Sequence, residues 1–312
     1  MNTQYHAKAR PDLRFMPEFP VPPDLHAMPD FRPMIDERIK AILAPIEPPV
    51  LREAMAHALA GGKRVRPLLA MFACAATGGR PADALDAGVA LEFLHTSSLI
   101  HDDIMDASDV RRGRATVHVA YDVPTAILAG DAMIALAFRT LHGIPSGRRD
   151  RLWGLFSSAF VHLCEGQGED LAFARAEGVT SPEHQRMVEK KTARLLEACA
   201  AMGAALGTIN ESVIRSFGRF GLYLGLAYQA KDDMLDETGT EATVGKSVGI
   251  DRRNGRKTFL TLVHPEVDTL GAVDALVRGY TEVACAALEP LRFTPEKEYL
   301  LGMARSLASR NS

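Results

Sequence analysis

The sequence predicts an all-α protein, built as a single bundle of ten or more helices. From residue 34 onward alanine, leucine and methionine dominate, and apolar residues recur at the three- and four-residue spacing of a helix. The chain has no alternating apolar–polar stretch long enough for a useful β-strand, and no G-x-G-x-x-G motif. Several predicted helices are apolar around their whole circumference, which places them at the centre of the bundle.

The first 33 residues form a separate predicted segment, because their proline density cannot sustain a helix. We expect an extended arm at 1–33, either a disordered tail or an ordered arm that crosses onto a partner. Residues 34–312 are predicted to form one all-helical domain. Its clearest helical stretches are 84–105, 124–142, 151–175, 182–206 and 211–236, with breaks at Gly78–Gly79, Gly113, Gly143–Pro145 and Gly207.

Composition argues against several classes of protein. The chain has 312 residues, of which 24% are charged, and a formal net charge of -3, so it lacks the basic excess typical of nucleic-acid binding. Its four cysteines are scattered without metal-ligand spacing, which indicates reduced thiols and a cytoplasmic protein. We expect no transmembrane segment, because no apolar run reaches the ~18 residues required. We also expect no signal peptide, because the first residues lack an apolar core.

One acidic pattern, with carboxylates at positions i, i+1 and i+4 of an apolar run, occurs twice: at Asp102, Asp103 and Asp106 and at Asp232, Asp233 and Asp236. Positions i and i+4 share a helix face, so two such helices facing each other would place about six carboxylates around one cavity. Like charges this close require cations, and oxygen-only ligands suit Mg²⁺, which shares its coordination with phosphate-bearing substrates. The pattern therefore predicts a magnesium enzyme that acts on diphosphates.

Cationic residues lie next to the acidic motifs in the sequence. Arg111 and Arg112 follow the first motif and are suited to bidentate binding of phosphate oxygens. Residues 61–67, with the sequence GGKRVRP, combine a glycine pair that lets the backbone approach a phosphate with three basic side chains at a helix start. Residues 245–258 follow the second motif as a glycine-punctuated cationic loop, which is typical of a lid over a negatively charged leaving group.

Together these elements resemble the trans-prenyl diphosphate synthase (polyprenyl synthetase) family over roughly residues 35–300, in family order and near-family spacing. The resemblance implies an all-α fold around a deep apolar cavity, the isoprenoid synthase type I arrangement, and a homodimer. It implies that residues 34–312 are the catalytic domain. It also implies the reaction: a metal-bound allylic diphosphate ionises, the double bond of isopentenyl diphosphate attacks the cation, and a proton leaves.

The resemblance implies roles for individual residues. The six aspartates of the two motifs would bridge about three Mg²⁺ ions to the allylic diphosphate, with Mg²⁺ acting as Lewis acid and template. The residues that would bind the substrates are Lys63, Arg66, His95, Arg111, Arg112, Lys246, Arg256 and Lys257. The catalytic residues on the allylic side would be Lys191, Thr192 and Gln229.

Two positions after the second motif depart from the family pattern. Arg256 stands where lysine is usual, and Leu260 stands where proline is usual. The charge at 256 survives, but arginine is larger and planar, which changes the contact geometry. Lys257 could substitute for the missing lysine.

The product length should depend on the residues that precede Asp102 on its helix. One helical turn is about 5.4 Å, close to the length of one isoprene unit, so the side chain one turn earlier would form a floor under the growing product. Ser97 and Ser98 are small, whereas family members that stop at C15 typically carry an aromatic residue there. Leu94, near two turns down, would be a partial obstacle. The open floor predicts an all-trans product of C20 or longer, such as geranylgeranyl diphosphate.

Two other functions remain open from the sequence. A type I terpene cyclase also uses a DDxxD motif on an all-α fold, but it usually carries an Asn/Ser/Glu second motif and has no use for Lys63 and Arg66. A regulatory subunit of a prenyl synthase tends to lose aspartates, and here all six remain. Head-to-head condensing enzymes are a weaker alternative for the same reasons.

Overall fold

The computed structural model describes residues 28–238, 257–262 and 268–308. Its helices are α1 (Arg32–Leu43), α2 (Pro49–Leu59), α3 (Val65–Ala76), α4 (Leu85–Met105), α5 (Val117–Ala120), α6 (Val123–His142), α7 (Ser146–Phe173), α8 (Ser181–Val188), α9 (Arg194–Gly207), α10 (Glu211–Thr238), α11 (Thr269–Leu288) and α12 (Pro295–Ala308). A 3₁₀ turn (Pro81–Ala84) leads into α4, and a π turn (Glu189–Ala193) joins α8 to α9. The predicted all-α class, with ten or more helices, is confirmed.

Local sequence signals set several helix ends. α6 begins after Asp122, whose carboxylate accepts a hydrogen bond from the Thr125 amide at 2.6 Å. α8 begins at a capping box, in which Thr180 and Glu183 satisfy each other's backbone donors. Each predicted glycine break falls between helices or at a helix end, as Gly207 does at the end of α9.

A two-stranded hairpin is one feature of the fold that the sequence did not predict. β1 (Val110–Arg111) pairs antiparallel with β2 (Arg114–Ala115). Its turn holds Arg112 at φ +53° and Gly113 at φ +69°, in the left-handed region. Strands of two residues are too short for an alternating pattern to be recognised. The hairpin matters because it presents two arginines directly after α4.

The centre of the bundle is formed by α4 and α9, whose residues are buried on nearly every face. α4 packs against α6 and α3, while α9 packs against α3, α7 and α10. α9 approaches α3 so closely that a Cβ on Gly203 would lie 2.8 Å from the carbonyl carbon of Ala70. These contacts fix the C-terminal parts of α4 and α10, which carry the two acidic motifs.

Among the described residues, α6 alone is long and apolar enough to cross a membrane by length and composition. The sequence analysis predicts no transmembrane segment. α6 nevertheless meets the criterion of length and composition, although Asp131 and Arg139 interrupt its apolar run. One helix of this kind is weak evidence, because a core helix passes the same test. Here 39% of the apolar window is buried, and α6 packs along α4.

Candidate active site

A cavity of about 620 Å³ lies between α4, α7, α8, α10 and residues 257–258. Both acidic motifs reach it: Asp102 and Asp106 from the end of α4, and Asp232 and Asp233 from α10. Part of its wall is apolar and includes Ile134, Phe160, Leu163, Leu171, Met187 and Val188. The fold thus brings together two motifs that are separated by more than a hundred residues in the sequence.

Asp103 differs from its neighbour Asp102, because its side chain is only 4% exposed and is not among the residues that line this cavity. Its carboxylate accepts hydrogen bonds from Nε of Arg111 at 2.8 and 3.0 Å, and Nη2 of Arg111 lies 2.8 Å from Oδ1. Burial raises the pKa of Asp103, although the Arg111 cation acts in the opposite direction. Asp103 therefore orients Arg111, whose guanidinium lies at the cavity beside Asp102.

The second motif is tied into a chain of hydrogen bonds. Gln229 donates from Nε2 to Oδ1 of Asp233 at 2.9 Å, and Thr192 donates from Oγ1 to Oε1 of Gln229 at 3.0 Å. The amide of Phe259 donates to Oδ2 of Asp233 at 2.9 Å. Asp236 is 4% exposed and is not among the cavity-lining residues. These bonds fix Asp233 in one orientation toward the cavity.

The π turn positions the predicted catalytic lysine. Lys191 lies in this turn with Nζ 2.6 Å from Oδ2 of Asp170 and 3.6 Å from Oδ1 of Asp102. A π turn widens the helix locally and is often found at functional sites. The sequence predicted an unbroken helix over 182–206, because the i→i+5 pattern leaves the apolar periodicity almost unchanged. Gly166 of α7 permits the turn to pack closely, since a Cβ there would lie 2.7 Å from Cα of Lys191.

The cationic group on another part of the cavity wall consists of Arg66, Arg111 and Arg112, with His95 beside them. Burial lowers the pKa of His95 well below its usual range, and the surrounding arginine cations lower it further. His95 is therefore a neutral imidazole at neutral pH. Nε of Arg66 is buried and has no hydrogen-bond partner within the described ranges. A buried donor of this kind is expected to find an acceptor in a ligand or water.

The loop before α3 is held by a buried ion-pair network. Arg64 has a left-handed φ of +59° and is 8% exposed. Its guanidinium lies 2.7 Å from Oδ1 of Asp36 and 3.2 Å from Oε1 of Glu92. A Cβ on Gly62 would lie 3.1 Å from Nη1 of Arg112, so the glycine permits the loop to pack on that arginine. The network ties the residue before α3 to α1 and α4, next to the cationic group.

The remaining predicted residues are placed as follows. Ser97 and Ser98 line the cavity, and so does Lys257. Leu94 is fully buried and is not among the lining residues, and its role as a partial obstacle stays a prediction. Lys63 is in the loop before α3 and is also outside the lining. Lys246 and Arg256 lie outside the residues that the structure describes.

Sequence reasoning missed two side chains that the fold brings to the cavity, Asp170 of α7 and His184 of α8. Asp170 is the partner of Lys191, and its only signal was an acidic residue on the buried face of an amphipathic helix. His184 gave no signal, because its partners come from a segment more than seventy residues later.

The side chains at the cavity fit a hard divalent cation only in combination with a substrate. In the described part of the chain, no three His, Cys, Asp or Glu side chains are close enough to hold a metal ion by themselves. Each acidic motif instead presents two carboxylates to the cavity, and all of these donors are oxygens. Mg²⁺ binds in this way, through one or two carboxylates, waters and substrate phosphates.

Known proteins of similar sequence are named as prenyl diphosphate synthases. A model of the polyprenyl synthetase family matches residues 48–274. The chain is 34% identical over 308 residues to a geranylgeranyl pyrophosphate synthase of Geoglobus acetivorans, covering 89% of this chain and 96% of that protein. It is 40% identical over 232 residues to a short chain isoprenyl diphosphate synthase of Methanothermobacter thermautotrophicus, covering 73% and 71%.

A crystal structure of geranylgeranyl pyrophosphate synthetase from Pyrococcus horikoshii superposes with a TM-score of 0.84 at 33% identity, covering 89% of this chain and 96% of that one. The family match spans most of the chain and includes both acidic motifs. The chain therefore belongs to the polyprenyl synthetase family.

Proposed function

We propose that this protein is a trans-prenyl diphosphate synthase that condenses isopentenyl diphosphate with an allylic diphosphate to make an all-trans product of C20 or longer. The observation that carries the proposal is the single cavity lined by both acidic motifs, by the cationic group and by apolar side chains. The acidic and cationic parts suit two diphosphate-bearing substrates, and the apolar part suits a growing hydrocarbon chain. The relatives named as geranylgeranyl synthases favour a C20 product.

The allylic diphosphate is held on the acidic side of the cavity. Mg²⁺ bound by the aspartates, with about three ions expected from the family, would stabilise the departing diphosphate as a Lewis acid. Lys191, fixed by Asp170, presents its ammonium group to the diphosphate oxygens. Thr192 and Gln229 are held by their mutual hydrogen bond with their dipoles next to the site where the allylic cation forms.

Isopentenyl diphosphate binds at the cationic group. Arg66 and Arg112 bind its phosphate oxygens, and the unpaired Nε–H of Arg66 gains an acceptor there. Neutral His95 donates a hydrogen bond without adding a further charge. No dedicated base is required, because the departing diphosphate can take the proton after the carbon–carbon bond forms.

The test of the proposed function is a diphosphate-release assay with isopentenyl diphosphate, a series of allylic primers and Mg²⁺. We expect turnover that EDTA abolishes, and a C20 or longer product by mass spectrometry. Turnover of an allylic diphosphate without isopentenyl diphosphate would indicate a terpene cyclase. An absence of turnover with every primer would favour the regulatory-subunit alternative.

Ser97→Phe is expected to shorten the product. Ser97 is 1% exposed, lines the cavity and uses its hydroxyl to bond the carbonyl oxygen of Leu94 at 2.8 Å. A phenyl ring at this position would occupy the space one turn before Asp102, about 5.4 Å along the helix, and remove room for about one isoprene unit. The measurement is the product ladder by mass spectrometry, with Ser97→Ala as the size-matched control. An unchanged ladder in the phenylalanine variant would place the floor elsewhere.

A homodimer is part of the proposal. α6 exposes Ile127 and Leu128, and α7 exposes Trp153 and Val161, so neighbouring helices present apolar side chains to the outside. Faces of this kind are typical of protein–protein contacts. The family resemblance implies that the partner bound there is a second copy of this chain. Sedimentation velocity should give twice the 33.9 kDa mass of the chain. A particle of single-chain mass at micromolar concentration would contradict the dimer.

The cellular location and the domain limits complete the proposal. We infer a cytoplasmic enzyme without a nucleic-acid partner, with an arm at 1–33 and a catalytic domain at 34–312. All four cysteines lie among the described residues and are free. Burial raises the pKa of Cys74 and Cys199 to about 12, which keeps these thiols protonated and unreactive. These properties fit a reducing compartment.

A further inference from the structure

His184 is a buried histidine that the mechanism above does not use. It lies on α8, seven residues before Lys191, and only 2% of it is exposed. Its Nε2 is 2.9 Å from the carbonyl oxygen of Lys257. Its ring meets the ring of Phe259 edge to face, with the centroids 4.8 Å apart and an interplanar angle of 89°. Both contacts join α8 to a segment that follows the second acidic motif.

The contacted segment is part of the active site. Lys257 and Thr258 line the cavity, and the amide of Phe259 donates to Oδ2 of Asp233 at 2.9 Å. The amide of Thr258 donates to Oγ1 of Thr261 at 2.8 Å, which closes the segment into a turn. Residues 257–259 are therefore held from two sides, by His184 on α8 and by Asp233 on α10.

The protonation state of the His184 imidazole allows it to donate the hydrogen bond to the Lys257 carbonyl. Burial lowers the pKa of His184, while the bond to the Lys257 carbonyl and the charge of Asp170 act in the opposite direction. The ring is neutral at neutral pH, with Nε2–H donating to the carbonyl. Nδ1 is buried and has no hydrogen-bond partner in the part of the chain that is described. Burying a polar nitrogen without a partner costs free energy, and a phenyl ring at this position would avoid that cost. The hydrogen bond to Lys257 is therefore what a histidine provides here and a phenylalanine would not.

We propose that His184 is a positioning residue for prenyl transfer: it fixes the backbone of residues 257–259, so that Lys257 faces the cavity and Phe259 keeps Asp233 in place. The inference rests on the proposed function for the identity of the substrate. The placement itself rests on the hydrogen bond, the ring contact and the cavity lining.

The test compares His184→Phe, which keeps the ring and removes the donor, with His184→Asn, which keeps an N–H donor. We expect the phenylalanine variant to raise KM for the allylic diphosphate about tenfold, the effect of one buried hydrogen bond, and the asparagine variant to recover part of the loss. The affinity for inorganic diphosphate with Mg²⁺, measured by calorimetry, should fall by a similar factor. Gln185→Ala, at the neighbouring exposed position of α8, is the matched control.

A purely structural role predicts a different result. In that case His184→Phe would lower the melting temperature, with KM and the diphosphate affinity unchanged, and the proposal would be overturned. If the phenylalanine variant fails to fold, the asparagine variant and a double-mutant cycle with Lys257→Ala decide the question. Non-additive effects of the two substitutions on KM support positioning through Lys257, and additive effects overturn the proposal. Wild-type protein that binds diphosphate but has no turnover would refute the proposed function without affecting the calorimetric comparison.

Discussion

Asparagine in place of Asp102 or Asp232 is expected to reduce kcat/KM on the order of 10³-fold, the largest loss that we expect from a single substitution. Asparagine has nearly the same size but no negative charge, so the cavity would lose one of the carboxylates that we propose bind Mg²⁺. Asp102 also lies 3.6 Å from Nζ of Lys191, and its loss would remove one of the charges that hold the lysine. The measurement is steady-state kinetics over a range of Mg²⁺ concentrations, where weaker metal binding should shift the activation curve to higher concentration.

Asp109→Asn is the matched control for this experiment. Asp109 is exposed, follows the first motif by three residues and does not line the cavity. The same chemical change there should leave kcat/KM within about twofold of wild type, since a surface charge contributes little. Equal effects at Asp102 and Asp109 would mean that net charge, and not metal binding at the cavity, determines the activity.

Gly166→Ala is expected to reduce activity by displacing the π turn that carries Lys191. A Cβ at this position would lie 2.7 Å from Cα and 2.8 Å from Cβ of Lys191, and backbone atoms cannot move aside as a flexible side chain can. The turn would have to shift and carry Lys191 and Thr192 with it. We expect a loss of about 10²-fold in kcat, because small misplacements of catalytic groups are costly. Overpacking should also reduce the free energy of unfolding by about 1–3 kcal/mol.

Gly147→Ala separates this effect from the general effect of removing a glycine from α7. A Cβ on Gly147 would meet nothing within 4 Å, and the residue lies in the first turn of the same helix. Alanine there should keep full activity and leave stability equal or slightly higher, because it is the better helix former. Full activity of Gly166→Ala, measured alongside this control, would show that the position of the π turn does not limit catalysis.

Most of the fold could be predicted from the sequence because its signals are local. Apolar residues at helical spacing indicated α4, α6 and α10 to within two residues of their ends and α7 to within five, and glycines marked breaks between helices. The single helix predicted at 182–206 is α8, the π turn and α9 in the structure. The two acidic motifs were visible because their spacing fits one helix face each. The hairpin and the π turn were missed, because a two-residue strand and a one-residue widening of a helix leave almost no pattern.

The candidate site could be predicted in part. The residue types that line the cavity followed from the motifs, but the contacts of the individual aspartates did not. Asp103 accepts hydrogen bonds from Arg111, and Asp236 is not among the lining residues. Leu94 shared the helix with Ser97, yet it faces the core. Which face of a helix meets a cavity depends on the neighbouring helices, and these come from distant parts of the chain.

The sequence by itself determined that this protein is a helical bundle of the polyprenyl synthetase family with two acidic motifs predicted to bind metal, because periodicity and motif spacing are properties of short segments. Only the tertiary structure decided that both motifs face one cavity, that Lys191 is fixed by Asp170, and that His184 contacts the segment after the second motif. These facts depend on contacts between residues that are far apart in the chain. Such contacts exist only after the helices have packed.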